Sequence, residues 1–376
     1  MPNCKPVKTA VIGCGAISDI YLTNMQRLFS TTEVVACAAN HLESAEKKAA
    51  QYGIRAADVD GLIADPEVEM VVVLTPAPSH YELIKKALLA GKHVYTEKTM
   101  AVSLRQAKEL ASLADEKGLY LGSAPDTFMG SAWQTARKAM DEGLLGDVTS
   151  FHIVANRDLT MLASLFKFLR QPGGGICYDY GVYYLTALCS LVGPVSQVYA
   201  QIGNHARVRK NIIPTSPGFG QDYIYDNEAQ VNAVLTTESG VVGTFSLNGD
   251  SAIQDQAYFT IHGTKGILRL GDANQFGSDV SFLPNNPLKA EWQTLAPVTT
   301  LSDNCRGIGP ANMAACIRRQ EAHLASKEMA CHVLDVIEKM MESAKKGAPL
   351  RTETTCARPA PFAGWKELLV HEPSDC

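Results

Sequence analysis

Two glycines, Gly13 and Gly15, follow the apolar run "KTAVI" and precede a helical period, and no other junction limits the fold so strongly. A buried strand that ends in Gly-Cys-Gly and turns straight into a helix aims the free N–H groups of the first helical turn at whatever lies above the strand end. Gly13 permits the tight turn, and Gly15 lets a pyrophosphate approach the backbone. Ser18 stands where a third glycine is common in such turns. The turn residues Gly13, Gly15, Ala16 and Ile17 are therefore candidate dinucleotide ligands.

The next hundred residues repeat the unit. "EVVACAA", "EMVVVLTP", "HVYTEK" and "LYLGSA" are short β-rich runs, separated by helical stretches such as "LESAEKKAAQYG", "SHYELIKKALLAGK" and "SLRQAKELASLADEKG". Ser103 is placed as an N-cap and Gly118 as a helix end. Apolar strands without alternation, interleaved with helices, predict a doubly wound parallel sheet over residues 1–125. Beyond that point the rhythm changes. One helix at "GSAWQTARKAMDEGLLG" leads into runs at 148–156, 195–203, 228–236, 241–248, 257–263 and 266–270, and a long helix follows at 328–347. Glycine turns between several of these runs predict an antiparallel sheet in a second domain over 126–376. Residues 205–225 are expected to form a long loop, with "RVRK" as solvated surface.

A chain of 376 residues with 46% hydrophobic and 19% charged composition suits two globular domains. Its net charge of −5 offers no basic surface to nucleic acid. No apolar run reaches the roughly 20 residues of a spanning helix, so no membrane association is expected. Ten cysteines, none in a CxxC pair, predict reduced thiols, no metal site and a cytoplasmic protein. The N-terminus passes into a strand without a secretory pattern.

Other residues sit where this architecture concentrates chemistry. At the end of the second strand, Asn40 and His41 occupy the place where an acid would select NAD or a basic group NADP, so the cofactor is NAD or NADP, undecided. Thr75 and Pro76 end a strand at the ligand-binding edge of the sheet, and His80 opens the next helix as either a ligand or a packing residue. Glu97 and Lys98 end a buried parallel strand. An ammonium there can polarise a hydroxyl whose carbon loses hydride. Asp126 and Thr127 follow the last strand toward the expected cleft between domains. Arg157, Arg170 and His323 are further polar candidates, for substrate or for structure.

The stretches "GCGAIS", "TPAPSHYELIKKALLAGKHVYTEK" and "GGGICYDYGVYYL" resemble the Gfo/Idh/MocA family, which includes glucose–fructose oxidoreductase, inositol 2-dehydrogenase and dimeric dihydrodiol dehydrogenase. The resemblance covers nearly the whole chain. It implies an N-terminal Rossmann domain, a C-terminal α+β domain with a large, mainly antiparallel open sheet, NAD or NADP, and hydride transfer at a secondary alcohol of a sugar, glycoside or cyclitol. It also implies a homodimer or homotetramer built on the C-terminal sheet. The family's EKP lysine falls on Lys98, with Thr99 in place of proline, which withdraws the easy access of that peptide bond to the cis form. Its GG-x3-D-x-G-x-H-x2-D pattern falls on Gly174, Gly175, Asp179 and Gly181, with Tyr183 at the histidine and Thr186 at the second aspartate. In a helix Asp179 and Tyr183 share a face. Either Tyr183 or Lys98 would accept the proton, Lys98 would favour the tyrosine's phenolate, and Asp179 would orient the lysine or a substrate hydroxyl. Asp126, Arg157 and Tyr180 would line the substrate. Two alternatives stay open: an internal redox cycle ending in glycoside cleavage or epimerisation, and a non-catalytic dinucleotide sensor.

Overall fold

The computed structural model describes residues 5–370 except 254–255, 287 and 289–290, so Cys4 and Cys376 lie outside the described residues. The chain forms two compact units.

In the first unit, β1 (Val7–Ile12), α1 (Ser18–Arg27), β2 (Thr32–Ala38), α2 (Leu42–Tyr52), β3 (Arg55–Ala57), α3 (Val59–Ala64), β4 (Met70–Val73), α4 (His80–Leu89), β5 (His93–Thr96), α5 (Leu104–Lys117) and β6 (Leu121–Ser123) alternate as expected. The six strands are parallel and ordered β3-β2-β1-β4-β5-β6, the doubly wound arrangement whose switch point lies between β1 and β4. All four residues of β4 are buried, which is why its sequence is an unbroken apolar run. Ser103 caps α5 by accepting from the Gln106 N–H, and Gly118 ends it in the left-handed region at φ 64°.

The second unit contains α6 (Ser131–Asp141), β7 (Val148–Asn156), α7 (Leu159–Leu165), α8 (Val182–Leu191) and β8 (Val195–Gly203). After these come β9 (Val208–Lys210), β10 (Asp222–Ile224), β11 (Gln230–Thr237), β12 (Val242–Asn248), β13 (Ala257–Gly263), β14 (Gly266–Leu270), β15 (Ser281–Pro284) and β16 (Gln293–Thr294). Later in the chain come α9 (Ile308–Arg319), α10 (Lys327–Lys346) and β17 (Leu350–Arg351). The nine-stranded sheet is ordered β16-β15-β14-β13-β7-β12-β11-β8-β17, and every pairing in it is antiparallel except β7 with β12. Burial alternates along β11 and β12. Ala233, Leu235, Phe245 and Leu247 point into the core, while Val234 and Val242 remain exposed.

Two expectations about 205–225 need correction, and the expected division near residue 125 is joined by two returning segments, since 304–330 and 362–370 belong to the first unit. The physical reason is α9. Arg318 at its end grips both carboxylate oxygens of Glu69 at 2.7 Å, and Gly309 near its start leaves room for Tyr95, whose hydroxyl would lie 2.0 Å from a Cβ there. The segment 205–225 is not wholly a loop, since β9 and β10 pair as a ribbon. Nor is "RVRK" wholly solvated. Arg209 is buried, its guanidinium 2.7 Å from Asp250 Oδ1, 2.8 Å from Thr160 Oγ1 and stacked over the Tyr225 ring. Removing one partner strands a buried charge, so Asp250→Ala should lower unfolding free energy by about 3–5 kcal/mol. Denaturant unfolding checks this, and a loss below about 1 kcal/mol, the range of an exposed pair, would contradict it.

Candidate active site

The glycine turn of the first unit is closed on one side and open on the other. Gly13 adopts φ +112°, and a Cβ on it would lie 2.8 Å from the Leu74 carbonyl carbon and 2.9 Å from the Thr75 nitrogen. Its N–H donates to the Ala38 carbonyl at 2.8 Å, so the turn is stitched between β2 and the end of β4. Gly15 and Ala16 are exposed, nothing lies within 4 Å of a Gly15 Cβ, and Ile17 is the half-exposed N-cap of α1. Ser18, buried at the third position, donates its hydroxyl to the Gly15 carbonyl at 2.6 Å. An open shelf over a helix N-terminus fits a pyrophosphate. Asn40 and His41 lie exposed beyond β2.

One histidine joins the next two stretches. His80 is fully buried, with Nε2 2.6 Å from the Thr75 carbonyl and Nδ1 2.7 Å from the Thr99 carbonyl. A neutral ring can donate to only one of them. Burial holds its pKa below the ordinary value against the pull of both carbonyls. His80 is thus a clasp between the residues after β4 and those after β5, and Ser79 bonds the Thr75 hydroxyl beside it at 2.7 Å. Glu97 is buried under a second clasp. One carboxylate oxygen accepts from the Tyr21 hydroxyl at 2.7 Å and the other from the Lys98 N–H at 3.0 Å. Lys98 itself is half-exposed at the carboxyl edge of the sheet. The Lys98–Thr99 peptide is cis even though no proline follows, contrary to the sequence expectation.

In the second unit the tyrosine-rich segment is helical but not uniformly so. Residues Cys177–Gly181 form a π turn that continues into α8. Such wide turns recur at functional sites, and nothing in the residue types announces this one. Tyr183 is 8% exposed and Asp179 is half-buried. Arg157, just after β7, stacks its guanidinium 3.7 Å from the centre of the buried Tyr180 ring. The Tyr184 hydroxyl bridges the Tyr180 hydroxyl at 2.9 Å and Asp272 at 2.8 Å. Burial pushes the Tyr180 hydroxyl up to about 12, with Arg157 pulling back, so it stays protonated. Arg170 stacks on Tyr223 and donates to the Ala163 carbonyl, a structural use.

Sequence reasoning missed Glu228. Its carboxylate accepts from the Cys177 N–H at 3.0 Å, at the start of the π turn that carries Asp179. A Cβ on Gly175 would fall 2.0 Å from both of its oxygens, so the glycine is what admits it. Burial pushes its pKa up to about 7, and the neighbouring Asp179 charge also raises it. No motif marks Glu228, which reaches the turn from 51 residues away.

Two further candidates are structural in their surroundings. Asp126 is 2% exposed, and its carboxylate accepts from the Gly309 N–H at 3.0 Å in the first turn of α9. Burial pushes its pKa up to about 6, while that N–H and Arg306 pull it back. A raised folded value means that stability is gained by protonation. The gain is fully present below the unfolded value near 4 and lost as pH rises through about 6. Asp126→Asn should therefore be more stable than the parent by about 2–3 kcal/mol at neutral pH, with the difference vanishing near pH 4. Unfolding at a series of pH values checks this, and a pH-independent difference would contradict it. His323 is pushed down to about 4 by burial and packs beside Tyr120 and Gly122.

Cys189, His332 and Cys356 lie buried with their ligand atoms within 4.8 Å of one another, a grouping the cysteine spacing does not reveal. His332 Nε2 accepts from the Val195 N–H at 3.0 Å and Nδ1 faces the Thr354 carbonyl at 3.0 Å. Both ring nitrogens are thus spent within the fold.

The description "Oxidoreductase family, NAD-binding Rossmann fold" matches residues 7–124, and "GFO/IDH/MocA C-terminal domain" matches residues 133–269. The chain belongs to the Gfo/Idh/MocA oxidoreductase family. An uncharacterized oxidoreductase of Schizosaccharomyces pombe is 33% identical over 52% of this chain and 55% of its own length. The chain spans little more than half the length of the curated relatives it matches first. Mouse trans-1,2-dihydrobenzene-1,2-diol dehydrogenase is 26% identical over 70% of this chain and 74% of that protein. Among solved structures, levoglucosan dehydrogenase in complex with NADH and L-sorbose shares the fold at TM-score 0.80 and 19% identity, covering 93% of this chain and 99% of that one. As a family member the protein has an NAD-binding Rossmann domain, with NAD and NADP equally open. Among the described residues no helix is long and apolar enough to cross a membrane.

Proposed function

We propose that this protein is an NAD(P)-dependent dehydrogenase acting on a secondary alcohol or ketone of a sugar, glycoside or cyclitol. The observation that carries the reading is Lys98 at the carboxyl edge of an NAD-binding sheet, its backbone fixed by Glu97 and by the His80 clasp on Thr99. The activities named for the mouse and levoglucosan relatives support the substrate class.

Gly13, Gly15, Ala16 and Ile17 would hold the pyrophosphate, Asn40 and His41 the adenosine ribose, and Thr75, Pro76, His80 and Glu97 the strand-edge shelf. The nicotinamide, when bound, supplies or accepts the hydride. Lys98 polarises the hydroxyl oxygen, and Tyr183 takes the hydroxyl proton as the carbonyl forms. Asp179 orients the hydroxyl. Arg157, with Tyr180 beneath it, offers donors to neighbouring sugar oxygens, and Asp126 holds the first turn of α9. Glu228 acts on Asp179 by fixing the start of its turn.

The exposed face of the nine-stranded sheet, with Tyr199, Val234, Val242 and Tyr258, is where copies of the chain would assemble into a dimer or tetramer. Light scattering tests this: a monomer at micromolar concentration would contradict it.

A panel of monosaccharides, inositols and glycosides with NAD and with NADP tests the activity. A steady rise in nicotinamide absorbance with at least one compound is expected. Dinucleotide binding without absorbance change on the whole panel would contradict the reading.

A further inference from the structure

A buried hydrogen-bonded chain ends beneath Arg157. Tyr180 and Tyr184 are both buried, with ring centroids 5.1 Å apart and planes at 87°. The Tyr184 hydroxyl lies 2.9 Å from the Tyr180 hydroxyl and 2.8 Å from Asp272 Oδ1, which reaches it from 88 residues further along the sequence. A carboxylate only accepts, so Tyr184 donates to Asp272 and its oxygen is left to accept from Tyr180. Burial raises both phenols, Tyr180 to about 12, so each keeps the proton it donates.

Asp272 is held independently of the tyrosines. Its Oδ1 also accepts from the Asn274 N–H at 2.9 Å, and its carbonyl accepts from the Gln275 N–H at 3.0 Å. The Gln275 carbonyl in turn accepts from the indole N–H of Trp133, a buried residue of α6, at 2.9 Å. The loop after β14 is thus a fixed post. At the other end of the chain, hydrogen bonds to Asn248 and Ser251 hold the Arg157 backbone, while its guanidinium rests on the Tyr180 face, 3.7 Å from the ring centre. Burial works against the Arg157 charge, but Tyr180, Asp179 and Asp272 more than offset it and raise its pKa.

We propose that Asp272 is a positioning residue that fixes, through Tyr184 and Tyr180, the plane in which Arg157 presents its N–H donors to two neighbouring oxygens of the substrate. A phenol pinned at its oxygen cannot pivot about its Cβ, and a guanidinium stacked on a fixed ring offers paired donors in one plane. Donation toward a carboxylate also enriches the ring, which strengthens its hold on the cation. Without Asp272 the Tyr184 hydroxyl loses its acceptor, Tyr180 is free to turn, and Arg157 leaves its plane. The loss falls on substrate binding, because Arg157 meets oxygens beside the reacting carbon and not the carbon itself. Arg157 as a substrate ligand is taken from the dehydrogenase reading above, whereas its tie to Asp272 stands on the geometry alone.

Crystal structures and steady-state kinetics of the full chain test both halves. In Asp272→Ala, Arg157 should leave the Tyr180 face or spread over several conformers. KM for those monosaccharides, inositols and glycosides that turn over should rise about tenfold, with kcat and NADH affinity within about threefold of the parent. Asp272→Asn keeps an oxygen for the Tyr184 hydroxyl and should hold Arg157 in place and restore KM. Tyr184→Phe leaves the loop intact and should reproduce the alanine effect. In an Arg157→Ala background, Asp272→Ala should add no further rise in KM. Arg157 undisplaced in both Asp272→Ala and Tyr184→Phe, or the same KM rise from Asp272→Ala with and without Arg157, would overturn the proposal. Arg157 displaced with KM unchanged would overturn its link to substrate. Absence of turnover with every compound would contradict the dehydrogenase reading alone, and the position of Arg157 in the variants would then decide its tie to Asp272.

Discussion

Replacing Lys98 by alanine should lower turnover by about 10²–10⁴-fold while leaving dinucleotide affinity within a few-fold of the parent. The side chain lies past β5, and its backbone is held by Glu97 through an N–H that alanine retains. The shelf formed by Gly13, Gly15 and Ser18 is built from other strands and is untouched. The loss therefore falls on the chemical step and not on the first binding event. Tyr183→Phe should produce a loss of the same order, since phenylalanine keeps the buried ring and removes only the hydroxyl. Steady-state kinetics with a separate fluorescence titration distinguish the two effects. Near-normal turnover of Tyr183→Phe across pH would remove the tyrosine from the mechanism, and near-normal turnover of Lys98→Ala would remove the lysine.

Gly13→Ala should be as damaging by a different route. The new methyl group would sit 2.8 Å from one backbone atom and 2.9 Å from the next, at φ +112°, a conformation that side chains avoid. Neither neighbour is a flexible side-chain end, so the β1 turn must move away from Leu74 and Thr75. The cost is about 1–3 kcal/mol in stability, and the displaced N–H groups no longer face the phosphates. Dinucleotide affinity should fall at least tenfold. Gly15→Ala, whose methyl group meets nothing within 4 Å in the protein itself, should leave stability unchanged and affect only ligand binding. Thermal unfolding with and without NADH checks both. Equal stability of the two variants would contradict this account of the turn.

The glycine turn, the parallel strands and the capped helices were legible because each is encoded locally. Strand β4 is apolar on both faces, Ser103 sits one residue before its helix, and Gly118 ends it. The bounds of β7, β8, β11 and β12 were also readable, to within about two residues, from β-rich runs set off by glycine turns. What escaped is non-local. Helix α9 carries Gly309 and Pro310 in its first turn, which disguise a helix start as a loop, although proline is tolerated there. Its return to the first unit depends on Arg318 meeting Glu69, 249 residues away. The ribbon of β9 and β10 has strands of three residues, too short for a periodicity to appear. Of the proposed functional residues, Lys98, Asp179 and Tyr183 carry a motif, while the π turn and Glu228 carry none, because a wide turn and a long-range carboxylate leave no spacing signal. The sequence leaves His80 open between ligand and packing. Its two carbonyl contacts make it a clasp for the strand ends.

The most direct measurement follows the hydrogen itself. A panel substrate deuterated at its carbinol carbon is incubated with the protein and oxidised dinucleotide, and the recovered nicotinamide is analysed by mass spectrometry and NMR. Hydride transfer predicts deuterium at C4 of the reduced nicotinamide, on one face only, with labelled product accumulating far more slowly in Lys98→Ala. Reduced dinucleotide without deuterium, or dinucleotide that binds and stays oxidised with every carbohydrate offered, would contradict the account.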